Sequence, residues 1–178
     1  MRLIVPAHSP TLQISVFTFA LLLGFSSASN SAHAETVFAV GASNAAGDGV
    51  GSAQAWPAQL ERMLRAKGYD ATVVVSAISG DTSSGILGRI DSAMPSGTRV
   101  VVFDTGIVND RRLGVSPSKT AANIAQMRSH IRARGAVAVM TSYAGNSTQS
   151  DGIHSTAAGH AAIAGNVVSQ VAAALHKR

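Results

Sequence analysis

From Glu35 onward, short β-branched runs alternate with longer stretches in which apolar residues recur at helical spacing. That pattern predicts a parallel sheet covered by helices on both faces. Thr36-Val37-Phe38-Ala39-Val40 reads as the first strand, ended by Gly41. Trp56-Pro57 opens a helix through about Lys67, because proline suits a first helical turn and Leu60, Met63 and Leu64 share a face. Ala71 to Ile78 is the second strand, closed by Ser79-Gly80. Asp81-Thr82-Ser83 offers caps for a helix to about Met94, and Pro95-Ser96-Gly97 turns the chain into a third strand, Arg99 to Asp104. Gly106 to Pro117 is expected to be a long loop. Ser116 or Ser118 then caps a helix whose buried stripe is Ile124, Met127 and Ile131, ending at Gly135, and Ala136 to Met140 is the fourth strand. After a polar loop, Thr141 to Gln149, Thr156 is the candidate cap of a last helix carrying Ile163, Val167, Val168, Val171 and Leu175.

The expected fold is therefore α/β, a three-layer doubly wound parallel sheet of about four to five strands, formed as one domain over residues 35–178. Such sheets bind ligands at the carboxyl ends of their strands, near the point where the connections reverse direction. The segment before Glu35 has a different character. Met1-Arg2 is a thin positive start, Leu12 to Phe25 is an apolar run broken by Gln13, Ser15, Thr18 and Gly24, and Ala32-His33-Ala34 has the small-x-small form of a cleavage site. Residues 1–34 are read as a signal peptide and the mature protein as periplasmic or secreted. A retained anchor is the alternative, but the run is shorter than the ~20 residues that span a bilayer.

Composition narrows the chemistry. With no cysteine in 178 residues, neither a disulfide framework nor a Cys-x-x-Cys zinc site is available, and no His or acid cluster has metal-ligand spacing. No metal or cofactor is expected. Without Arg2 the chain holds 13 basic residues against 9 acidic ones, a mild excess. Arg128, Arg132 and Arg134 gather near one helix end, where they complement the helix dipole, and with 4% aromatic residues there is no stacking platform for nucleic acid. Arg111 and Arg112 are read as a solvated loop pair, with contact to an anionic substrate as the alternative.

Ser43 follows the first strand and Gly41, which is expected to let the backbone turn sharply. Asp151-Gly152-Ile153-His154 completes a Ser, Asp, His order used by unrelated hydrolytic folds. Three residues apart in a tight turn, Asp151 can accept from one ring nitrogen of His154 while the other faces Ser43. Each residue alone has an ordinary explanation: Ser43 as a helix cap, Asp151 and His154 as a surface pair. His160 is expected to be structural, His130 to lie on a solvated helical face and His176 in a frayed tail. Gly80 has no side chain to obstruct its N–H and Asn109 carries an amide, which makes both candidate oxyanion donors, although each also suits an ordinary turn.

Taken together, these blocks resemble the SGNH (GDSL-type) hydrolase family, and within it the bacterial periplasmic acyl-thioesterase/lysophospholipase group. The resemblance runs over essentially the whole mature chain and is carried by Ala77-Ile78-Ser79-Gly80-Asp81-Thr82-Ser83, Ala55-Trp56-Pro57-Ala58 and Asp151-Gly152-Ile153-His154. It implies a flavodoxin-like SGNH fold in reduced form. It further implies Ser43 as nucleophile, His154 as base and then acid, Asp151 as its orienter, and the N–H of Ser43 with Gly80 and Asn109 as oxyanion hole. Three departures stand out. Ala42 replaces the carboxylate of the family's Gly-Asp-Ser block, which bears on the rigidity of the loop. Gly106-Ile107-Val108-Asn109-Asp110 has one residue too many between glycine and asparagine, which bears on the aim of Asn109. A short loop joins the fourth strand to Asp151, which should reduce the wall of the acyl site.

The function expected is a serine hydrolase acting on small or short-acyl esters or thioesters. The alternatives are a carbohydrate acetyl esterase and an SGNH-fold binding protein that has lost turnover. A dinucleotide or phosphate site is disfavoured, since Gly-x-Gly-x-x-Gly fails at Ser43 and no Gly-Lys-Ser/Thr is present. The partner expected is a small-molecule ester, with no nucleic acid and no stable membrane insertion.

Overall fold

The computed structural model describes residues 34–175, which fall within one compact unit. The expected signal peptide, apart from Ala34, and His176 lie outside the described residues. Four parallel strands, β1 (Glu35–Gly41), β2 (Ala71–Ala77), β3 (Thr98–Phe103) and β4 (Val137–Met140), lie in the order β2-β1-β3-β4. The chain leaves β1 toward β2 on one side and returns to place β3 on the other, so the connections reverse between β1 and β3. A crevice opens at such a switch point, outside the carboxyl ends of those two strands.

Alternation along the central strands builds two cores. Val37, Ala39, Val100 and Val102 face one way, onto α2 (Trp56–Ala66) and α6 (Ala157–Leu175), through Trp56, Leu60, Leu64, Ile163, Val167 and Val171. Phe38, Val40, Val101 and Phe103 face the other way, onto α3 (Ser83–Ala93) and α5 (Pro117–Ala133), through Ile86, Ile90, Met127 and Ile131. Burial on both faces explains why β1 and β3 read as unbroken apolar runs. By length and composition α6 could cross a membrane, but its Ile163, Val167 and Val171 are fully buried here against the sheet and α2.

The predicted caps act at several ends. Thr82 Oγ1 accepts from Gly85 N at the start of α3, Ser116 rather than Ser118 accepts from Lys119 N at the start of α5, and Thr156 Oγ1 accepts from Gly159 N in α6. The start of α2 has no side chain of its own to cap it; instead the Trp56 N–H donates to Nδ1 of His160, 3.2 Å away in α6. Fully buried His160 thus serves packing, and burial, with the nearby His154, holds it below the ordinary histidine range.

The stretch expected to be a loop contains a helix, α4 (Ile107–Arg112), and a short helix α1 (Ser43–Ala46) begins at the serine itself. The cause of α4 is tertiary. Buried Asp110 accepts from Ser83 N (3.0 Å), Ser83 Oγ (2.5 Å) and Thr120 Oγ1 (2.6 Å), tying α4 to the starts of α3 and α5. Gly106 precedes it with φ of 67° and its Cα so near Ser83 N that a Cβ would stand 2.6 Å away, so only glycine fits.

Burial pushes the Asp110 carboxyl up, but the hydrogen bonds from Ser83 and Thr120 outweigh it and leave the group below the usual carboxylate range. A folded value below the unfolded one of about 3.9 means stability that is present above that pH and is lost as pH falls through the folded value. Asp110→Ala is expected to destabilise the protein by about 3 kcal/mol at neutral pH, since it strands three buried donors. In denaturant titrations between pH 7 and pH 2, Asp110→Asn should lose the part of the acid dependence that this carboxyl supplies.

Candidate active site

The crevice between β1 and β3 is a cavity of about 500 Å³ lined by Ser43 and Asn44 from α1, Asn109 from α4, and Tyr143 and Ile153 from the loop after β4. Its remaining wall is largely apolar, with Ile107, Val108, Ile124 and Met140. Gly41, at the end of β1, does not adopt positive φ. Its reason is close approach: a Cβ there would lie 2.7 Å from Asp104 Cβ and 2.9 Å from Ala45 Cβ. The expected sharp turn is thus a matter of contact rather than of a left-handed backbone.

Asn44, which sequence reasoning passed over, joins the two halves of the site. Its Oδ1 accepts from Ser155 N at 2.9 Å and its Nδ2 donates to Ile153 O at 3.4 Å, so the residues on either side of His154 are bonded to the neighbour of Ser43. The only signal for it was a polar residue beside the serine, which any surface turn would also show. Gln149 adds a second tie, donating from Nε2 to Asp48 O and Ser155 O while its N–H donates to His154 O.

Within that loop the Asp151–His154 spacing does what a tight turn allows. The His154 Nδ1–H donates to Asp151 Oδ2 at 2.6 Å, and Asp151 Oδ1 accepts from the N–H groups of Ile153 and His154. The Ile153 N–H, the imidazole and the His154 N–H hold the exposed Asp151 carboxyl down to about 2. A carboxylate at Nδ1 leaves Nε2 as the proton-accepting nitrogen. Among the described residues no hydrogen bond joins Ser43 to His154; the charged group nearest Nε2 is the Asp48 carboxylate, at 3.9 Å. Contacts of this kind are often long without substrate and tighten when it binds.

Of the three expected donors, Ser43 and Asn109 line the cavity and Gly80 does not. Ser43 N–H lies in the first turn of α1, where no intrahelical acceptor is available. The residue added to the third block is absorbed as the first turn of α4, and Asn109 reaches the cavity after all, with Nδ2 donating one of its two hydrogens to Asp81 O at 2.8 Å. Gly80 is exposed in the turn after β2, outside the cavity lining. Arg89 holds that turn against the end of β1, donating to Asp81 Oδ2, Ser76 O and Gly41 O. Buried Asp104 accepts from Tyr143 Oη and Gly106 N; desolvation pushes its carboxyl up, against those bonds and the amides of Thr105 and Ala42. The Tyr143 hydroxyl is pushed up by burial and by Asp104. His130, expected on a solvated face, is exposed there and pairs with Asp91 of α3 at 2.5 Å.

The chain is an α/β protein whose parallel sheet carries a serine turn and the Asn109 amide at the crevice of its switch point, with an Asp–His pair in the loop tied to that turn by Asn44. Residues 39–175 match the GDSL-like Lipase/Acylhydrolase family, and the chain belongs to that family. It is 39% identical over 106 residues to Esterase TesA of Pseudomonas aeruginosa, which covers 59% of this chain and 52% of that protein. It is 31% identical over 121 residues to an arylesterase of Vibrio mimicus, covering 68% and 60%. The matched part thus spans between half and three fifths of each of these relatives. A crystal structure of TesA superposes with a TM-score of 0.70 at 27% identity, covering 79% of this chain and 99% of the other.

Asn44→Ala is expected to release the His154 loop. Loss of two hydrogen bonds, one to a buried N–H, should cost about 2 kcal/mol, and hydrogen exchange at residues 149–156 should accelerate while the central strands stay protected.

Proposed function

We propose that the protein is a serine hydrolase that cleaves carboxylic esters or thioesters of small or short-acyl substrates through an acyl-enzyme on Ser43. The observation that carries this reading is the Asn44 bridge, which brings the Asp151–His154 pair, 108 and 111 positions along the chain from Ser43, to the serine's own turn. Family membership and the similarity to Esterase TesA and to an arylesterase support the same chemistry.

His154 Nε2 takes the Ser43 proton as Oγ attacks the carbonyl carbon. The carbonyl π pair moves onto oxygen, where the Ser43 N–H and the Asn109 amide, the two expected donors that line the cavity, receive it. Collapse re-forms the carbonyl and breaks the bond to the alcohol or thiol, which leaves with the proton from His154. Water then gives a proton to the same imidazole, attacks the acyl-enzyme and releases the acid, returning the proton to Ser43. Asp151 holds the ring and faces the imidazolium formed at each step.

A cavity of about 500 Å³ is within the range of small-molecule sites. The loop between β4 and α6 supplies one wall with Tyr143, Asn146 and Ile153 and holds no helix or paired strand beyond the bridge Thr148–Ser155, which favours short acyl chains. We assign residues 1–34 to export and the mature enzyme to the periplasm or the exterior. Acetylated sugars suit the same triad. A binding protein without turnover is the competing reading, favoured by the missing Ser43–His154 hydrogen bond.

A fluorophosphonate probe separates the two: the wild type should label and Ser43→Ala should not, whereas an unlabelled, folded wild type would point to the binding protein. With p-nitrophenyl esters, His154→Ala should abolish measurable turnover of the acetate, and Asn109→Ala should lower kcat by about 10²-fold or more. Acetate and butyrate should exceed the palmitate by roughly tenfold in kcat/KM.

A further inference from the structure

Asp48 is a second carboxylate beside the histidine, and the triad described above does not use it. It stands at the end of the turn that Ser43 begins, with Asp48 N donating to Ser43 O, and its Oδ2 lies 3.9 Å from His154 Nε2. On the opposite nitrogen Asp151 accepts at 2.6 Å. The placement of Asp48 is built, since Gln149 from the His154 loop donates to Asp48 O and packs against Gly49. Buried His160 of α6, held below the ordinary histidine range by burial and then by the charge of His154, is a further titratable group beside the ring.

A distance of 3.9 Å is too long for a hydrogen bond, so Nε2 remains free to take a proton from Ser43. It is short enough for a field. In a site that is partly solvated, two opposite charges at this separation attract appreciably, and the attraction exists only while the ring is protonated. We propose that Asp48 is a positioning residue for the reaction put forward above: it acts through His154, favouring the imidazolium that appears when Ser43 is deprotonated. Asp151 fixes the ring by hydrogen bonding from one side and Asp48 favours its charge from the other. This inference rests on the proposed triad.

The test is the pH profile of kcat/KM for p-nitrophenyl acetate with the full chain. Removing an anion beside the ring lowers the pH at which the ring protonates, so Asp48→Asn should move the acid limb to lower pH by about half a unit. Asp48→Glu should restore the limb toward the wild type, and added salt should shrink the difference between wild type and Asp48→Asn. A second reading needs no turnover: in Ser43→Ala, the NMR titration of the His154 ring protons should shift the same way when Asp48→Asn is added. An acid limb and ring titration left in place by Asp48→Asn, or moved to higher pH, would overturn the role of Asp48. A wild type that fails to turn over the ester or label with fluorophosphonate would instead overturn the hydrolase reading, and the ring titration would still decide about Asp48.

Discussion

Two hydrogen bonds from Asn44 to the backbone around His154 are the constraint on which the site depends. Helices and strands place the serine turn at one end of the sheet, and the loop after β4 is tied there by Tyr143 to Asp104, by Asn166 to the carbonyls of Ser142 and Ala144, and, beside His154 itself, by Asn44 and Gln149. Its closing bridge, Thr148 with Ser155, is short. A side-chain amide that offers an acceptor to one backbone group and a donor to another can fix both position and orientation of the segment between them. Ordering a loop costs conformational entropy, and bonds to otherwise unpartnered backbone groups are what offset it.

The carboxylates around the crevice divide the labour by their surroundings. Asp110 is buried and fully bonded, so it joins three helices; Asp104 is buried in the cavity lining and accepts from Tyr143 Oη. Asp151 is exposed and takes three hydrogen bonds, which keep it ionised, and the Asp48 carboxylate stands 3.9 Å from the other side of the ring. The same functional group is thus a structural tie in the interior and an electrostatic element at the rim, because desolvation and bonding, not residue type, set its state.

Loss of the usual carboxylate at position 42 is also answered by neighbours. The Ala42 amide points at Asp104, whose carboxylate also accepts from Gly106 N, and Arg89 reaches Gly41 O from the other side. The Ser43 turn is therefore held by Asp104, which follows β3, and by Arg89 of α3. The rigidity that the sequence placed in doubt comes from elements 48 and 62 residues further along the chain.

Much of the architecture was legible in order and type. Alternating β-branched runs and 3.6-residue stripes identify four strands and the long helices, because a two-faced sheet and one-faced helices leave different periods in the chain. The Asp151–His154 pair was legible for a similar reason: its geometry is local and three residues suffice to close it. What no local pattern carries is α4, whose segment lacks a stripe and is held by Asp110 reaching Ser83 and Thr120. Nor does any pattern reveal Asn44, Arg89 or the approach of Asp48 to His154. These depend on contacts between residues 48 to 111 positions apart, and only the packed chain brings such groups within reach.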